Sequence, residues 1–60
     1  MRVTTESIVR MADGHRAYVA AVDTLNSKYM VSDLDANRMI RFVDEDEIAG
    51  IIEMPKGDRI

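Results

Sequence analysis

The sequence predicts an all-β domain whose five short strands close into a small barrel or sandwich. Two observations lead there. Strand-forming runs rich in Val, Ile, Tyr and Phe recur at 8–11, 18–22, 29–31, 39–43 and 51–54. Turn-forming clusters separate them at roughly the 8–12-residue spacing of small β folds. Closing such a sheet also removes edges that would otherwise associate with other chains.

Each element follows from its residues. The run IVRM ends at Asp13-Gly14, a strong hairpin signal, because glycine takes positive φ without steric cost. The segment AYVAAVD stops at DTLNS, a second break. In KYMV, Tyr29 and Val31 share one face, since side chains alternate along a strand. The cluster Asp33-Leu34-Asp35-Ala36-Asn37 marks a third turn, because Asp and Asn bond their own backbone and tolerate left-handed geometry. In RMIRFV, Ile40 and Phe42 share a face, and Arg38 and Arg41 take opposite ones. A helical reading of 5–25 competes with this. Ile8, Met11, His15, Tyr18, Val19, Val22 and Leu25 form an apolar stripe that Thr5 caps, but Gly14 would then sit mid-helix at about 1 kcal/mol. That alternative is α+β: one N-terminal helix, then a hairpin, in an obligate dimer of antitoxin-like architecture.

Length bounds the rest. Sixty residues make one domain, expected over 1–54 with a short C-terminal tail at 55–60 that begins at Pro55. So small a chain buries only about 60% of its unfolded surface, and domains of this size usually lean on a disulfide, a metal or a partner chain. The absence of cysteine removes disulfides and thiolate zinc sites. Self-association or docking is therefore expected. A hydrophobic content of 47% argues against disorder. No apolar run approaches the roughly 18 residues of a membrane span, and MRVTTES has no signal-peptide core. A soluble cytoplasmic protein, away from membranes, is the expectation.

The residues 7–48 resemble the small SH3-like barrels of the Tudor and KOW kind. The likeness rests on Val9, Arg10, Asp13, Gly14, Val19, Val22, Asp23, Tyr29, Val31, Arg41, Val43 and Ile48. It implies a five-stranded SH3-like barrel and a nucleic-acid-associated or protein-binding role. The chain departs from those families at Ala17, where KOW has glycine. It also carries only Tyr18, Tyr29 and Phe42 as aromatics, too few for a Tudor ligand cage.

No arrangement of residues suggests catalysis. His15 is the single histidine and reads as a solvated turn residue. There is no glycine-flanked serine elbow and no phosphate loop. Asp33, Asp35 and Asn37 open like a calcium loop, but the sixth position is Arg38 and the twelfth Asp44, where glycine and glutamate are required. A non-enzymatic protein with no cofactor and no metal is expected. Five methionines suit an irregular core, Met11, Met30, Met39 and Met54 among them.

Charge supplies the candidate sites. The net charge is −3, and most carboxylates lie in the second half, including the run Asp44, Glu45, Asp46 and Glu47. Successive side chains of that run cannot converge on one ion. The acids instead suit the first turn of a short helix ahead of Ile48, Ile51 and Ile52, with Asp44 as cap and Glu47 completing a capping box. The alternative is a one-turn connector before the last strand. The run is also the candidate partner-binding surface of a module that binds and regulates or inhibits a larger protein assembly. The alternative is RNA or DNA binding through Arg10, Arg16, Arg38 and Arg41, with Tyr18 and Tyr29 stacking on bases. An acidic balance disfavours that role, because phosphate binding draws on cations.

Overall fold

A computed structural model of the chain describes residues 3–54. The fold is all-β, as the sequence predicts. Its strands are β1 (Ile8–Met11), β2 (Arg16–Asp23), β3 (Lys28–Asp33), β4 (Met39–Asp44) and β5 (Ile48–Glu53). They form one antiparallel sheet in the order β4-β3-β2-β1-β5. Four strands follow one another as hairpins, and the fifth returns beside the first. The expected tail at 55–60 lies outside the described residues. No helix among the described residues is long and apolar enough to cross a membrane.

The helix-plus-hairpin alternative is overturned, because 5–25 holds β1 and β2. Gly14 decides the matter locally. Its φ of 94° is incompatible with a right-handed helix. Met11 and Gly14 instead close a three-residue hairpin loop. The Met11 N–H donates to the His15 carbonyl at 2.8 Å, and the Gly14 N–H donates to the Met11 carbonyl at 2.9 Å. Asp13 Oδ1 accepts the His15 N–H at 3.0 Å, the local bonding that makes Asp a turn former.

The other connections are equally specific. Between β2 and β3, Asp23 Oδ1 accepts the N–H groups of Leu25 and Asn26, and Ser27 turns the chain at φ 56°. Between β3 and β4, Asn37 and Arg38 both adopt φ 57°, and the Met39 N–H returns to the Ala36 carbonyl at 3.1 Å. Two consecutive left-handed residues match the twist of the flanking strands. Between β4 and β5, Asp44 caps a single 3-10 turn, Glu45–Glu47. The Glu47 carboxylate accepts the Asp44 N–H at 3.3 Å, the reciprocal arm of the expected capping box. β5 then starts at Ile48, three residues before the expected strand. Ala49 and Gly50 are weak strand formers, but pairing of Met11 with Ile48 and Arg10 with Gly50 overrides their propensity.

One face of the sheet closes on a core of Val3, Val9, Met11, Ala17, Val19, Val31, Val43 and Ile48, with Val22, Tyr29 and Ile51 packed against it. A bulge in β2 makes this possible. Val19 opposes Val31, yet Ala21 opposes Met30, so Ala20 is an extra residue. Without it, strict alternation from Val19 would put Val22 outside. The inserted alanine bends the strand and returns Val22 inward. The radius of gyration, 10.7 Å, is that of a chain folded tightly on itself, about 10 Å for this length. Of the methionines expected to fill the core, only Met11 does so. Met39 and Met54 are exposed and Met30 is half-buried.

Candidate protein-interaction surface

The outer face of the sheet is built by the same alternation that buries the core. With Val19, Val31 and Val43 inside, the cross-strand rows Ala21–Met30–Phe42 and Tyr18–Ser32–Ile40 must point outward. Phe42 is 71% exposed and Ile40 52%. Lone exposed hydrophobics are ordinary, but neighbours on adjacent strands form a patch that marks an interaction site. Next to it lies a shallow cavity of about 180 Å³, lined by Ala21, Val22, Asp23, Lys28, Met30 and Phe42. The sequence placed Ile40 and Phe42 on one face but gave no signal that this face is the open one. The register of β4 against β3 decides it.

The acidic run adjoins this patch. Asp44 ends β4 on the outer face beside Lys28, its cross-strand partner, and the two side chains form an ion pair. That pair raises the Lys28 ammonium above its usual value, first through the hydrogen bond and then through the carboxylate charge. Glu45, Asp46 and Glu47 are exposed on the 3-10 turn. Their turn presents the carboxylates around the axis and converges on no ion. Among the described residues, no group of three or more His, Cys, Asp or Glu is placed to hold a metal.

The candidate nucleic-acid residues do not converge. Arg10 and Arg16 are cross-strand neighbours, but each has local work. The Arg10 guanidinium donates to the Gly14 carbonyl at 2.9 Å. Arg16 grips Asp35 through its side chain at 2.9 and 3.3 Å and through its backbone N–H at 2.8 Å. These bonds hold the Asp35 carboxyl down at about 2. Arg41 lies on the inner face, while Arg38 sits in the β3–β4 turn with no ion pair among the described residues. Tyr18 faces outward and Tyr29 packs against the core, so the two rings lie on opposite faces.

A part-buried ionic cluster forms around Asp33. Asp33, 2% exposed, ends β3 pointing inward. Its Oδ2 accepts from His15 Nδ1 at 2.9 Å and from the Arg41 guanidinium at 3.3 Å, and its Oδ1 accepts the Asp35 N–H at 2.9 Å. Arg41 also reaches Asp13 at 3.3 Å. His15 is thus both partly solvated at the hairpin loop, as its sequence context suggests, and tied to Asp33. The hydrogen bond to Asp33 raises the imidazole above its ordinary value, and the same bond lowers the Asp33 carboxyl. A readable signal existed: the alternation Tyr29, Val31, Asp33 points the carboxylate inward. Among the described residues, the side-chain partner of His15 is the Asp33 carboxylate.

Comparison of the chain with protein-family models, with curated proteins and with solved structures returns no match. The class that stands is therefore a small five-stranded antiparallel β domain.

Proposed function

We propose that this protein is a non-enzymatic interaction module that binds a larger protein and thereby regulates or inhibits the assembly containing it. The observation that carries this reading is the outer apolar patch of Tyr18, Met30, Ile40 and Phe42, flanked by the acidic turn. The patch supplies the desolvation energy of binding, and the acids select a partner whose apolar surface is rimmed by basic residues. Binding to RNA or DNA lacks such an anchor, since Arg10, Arg16 and Arg41 have partners within the chain.

The test is capture of the partner on immobilised protein, with identification by mass spectrometry. A stoichiometric protein is expected, retained by the native chain and lost with Phe42→Asp. Replacing Glu45, Asp46 and Glu47 by lysine should weaken capture in the same way. Circular dichroism must show that each variant keeps its strands. Equal retention by native chain and variants would overturn the proposal. So would a mobility shift with RNA or DNA at low salt, with no protein retained.

A further inference from the structure

The two edges of the sheet are treated differently. β5 is broken by two register shifts against β1, and bulges of that kind protect an edge from pairing. β4 pairs β3 without a shift over its whole length and contains neither proline nor lysine. Its side chains beside the open edge are apolar and exposed, Ile40 and Phe42 outside and Met39 at its start. An unshifted, apolar edge strand that pairs no further strand among the described residues is a template for another strand.

We propose that a second copy of this chain occupies that edge, the two β4 strands pairing antiparallel about a twofold axis at Arg41. The occupant is argued from the order of residues. Ile40, Phe42 and Asp44 alternate along β4, and Arg38 ends the turn just before it at φ 57°: a cation, two apolar residues and an anion in order. Turned end for end, this series complements itself. Arg38 meets Asp44 of the partner subunit, a carboxylate shared with that copy's own Lys28, and Ile40 meets Phe42 of the partner subunit. Twofold symmetry makes every contact twice, as an isologous interface requires. Moving the register by two residues sets Ile40 against either a carboxylate or itself and loses both charge pairs. Moving it by one turns the outer face of one copy to the inner face of the other.

Two features support this register. Arg38 is unpaired among the described residues and stands beside the strand it would serve. The Arg41 side chains would oppose each other at the axis, an unfavourable pairing for bare charges. Each, however, already lies between the carboxylates of Asp13 and Asp33. The pairing joins two five-stranded sheets into one of ten and sets Ile40 and Phe42 of both copies side by side on the outer face. The mass of the species in solution, read without any other protein present, separates it from binding of a different partner.

Sedimentation equilibrium of the full chain, from micromolar to millimolar concentration, tests it. The expected species has twice the chain mass. Arg38→Asp should weaken dimerisation about tenfold or more, because two attractive pairs become repulsive. Aspartate tolerates the left-handed geometry of that position, so the fold is preserved. The register is read by disulfides, since the native chain has no cysteine. Ile40→Cys mixed with Phe42→Cys should cross-link on oxidation far faster than either variant alone. A native chain that stays monomeric at every concentration overturns the proposal. So does a dimer unmoved by Arg38→Asp, or Phe42→Cys cross-linking with itself as fast as the mixture.

Discussion

His15 Nδ1 and Asp33 Oδ2 meet at 2.9 Å, joining the β1–β2 hairpin loop to the inner end of β3. The imidazole is half-exposed and the carboxylate buried, so their titrations become part of folding. The His15 value is raised above 6.5, first by its hydrogen bond to Asp33. Its stabilisation is complete below about 6.5 and is lost as pH climbs through the raised folded value. Asp13, Asp23, Asp33 and Asp35 are all lowered from 3.8. Their contributions are complete above about 3.8 and are lost as pH falls through the folded values. The thermal midpoint should be highest between about pH 4 and 6.5 and fall on both sides. In His15→Gln the decline on the alkaline side should vanish. A native midpoint that stays level from neutral to mildly alkaline pH would contradict this.

Asp33 collects three donors, whereas Asp13 shares Arg41 from an exposed loop. Asp33→Ala should therefore cost more than Asp13→Ala, because it leaves Arg41 and the Asp35 N–H facing a buried gap. Asp33→Asn, which still accepts hydrogen bonds, should fall between them. Urea midpoints of the three variants give the ranking directly.

The core is made largely of valines, so each matters. Val19→Ala and Val31→Ala should each destabilise by roughly 2 kcal/mol through lost methyl burial and the cavity left behind. That is a large share of the few kcal/mol a domain of this size commands. Leu25 is a larger side chain, but at 93% exposed its replacement by alanine should change stability by less than about 0.5 kcal/mol. Chemical denaturation distinguishes the two outcomes.

Glu6 stands at φ 71° and Arg38 at φ 57°, left-handed positions that disfavour long side chains by about 1–2 kcal/mol. The Glu6 geometry is set by its N–H on the Val19 carbonyl at 2.7 Å and the Val19 N–H on the Ser7 carbonyl at 2.9 Å, a bulge whose first residue is usually glycine. Glu6→Gly should raise stability by about 0.5 kcal/mol, the relieved strain exceeding the added chain entropy, whereas Arg38→Gly sets the same gain against the loss of its contacts with a second copy. A fall in the denaturant midpoint of either variant would show that its side chain has a stabilising role.

Local chemistry made most of the fold legible. β1 occupies the residues its composition marks, the Asp13-Gly14 and Asp23–Ser27 breaks are turns, and Asp44 caps the connector as its spacing suggests. Long-range pairing hid the rest. The extra residue at Ala20 has no sequence signature beyond two small side chains, and it alone decides which way Val22 points. Ala49 and Gly50 become strand only because β1 lies beside them. Asp33 reads as part of a turn because aspartates usually are, although its parity with Tyr29 and Val31 places it inside. The openness of Ile40 and Phe42 depends on which face finds the core, a property of the whole sheet.

Most neighbours in this sheet are also neighbours in the chain, but β1 is completed by the last strand, Val9 opposing Ile51. A growing polypeptide can therefore form its hairpins early and still cannot seal them. Until β5 arrives, Val9 and Met11 lack one flank, and β1 is itself an open border. The search for that final contact spans nearly the whole molecule, which places its folding among the slower, non-local β topologies. A chain stopped before Ile48 should remain a fluctuating set of hairpins, liable to capture by proteases or by its own kind.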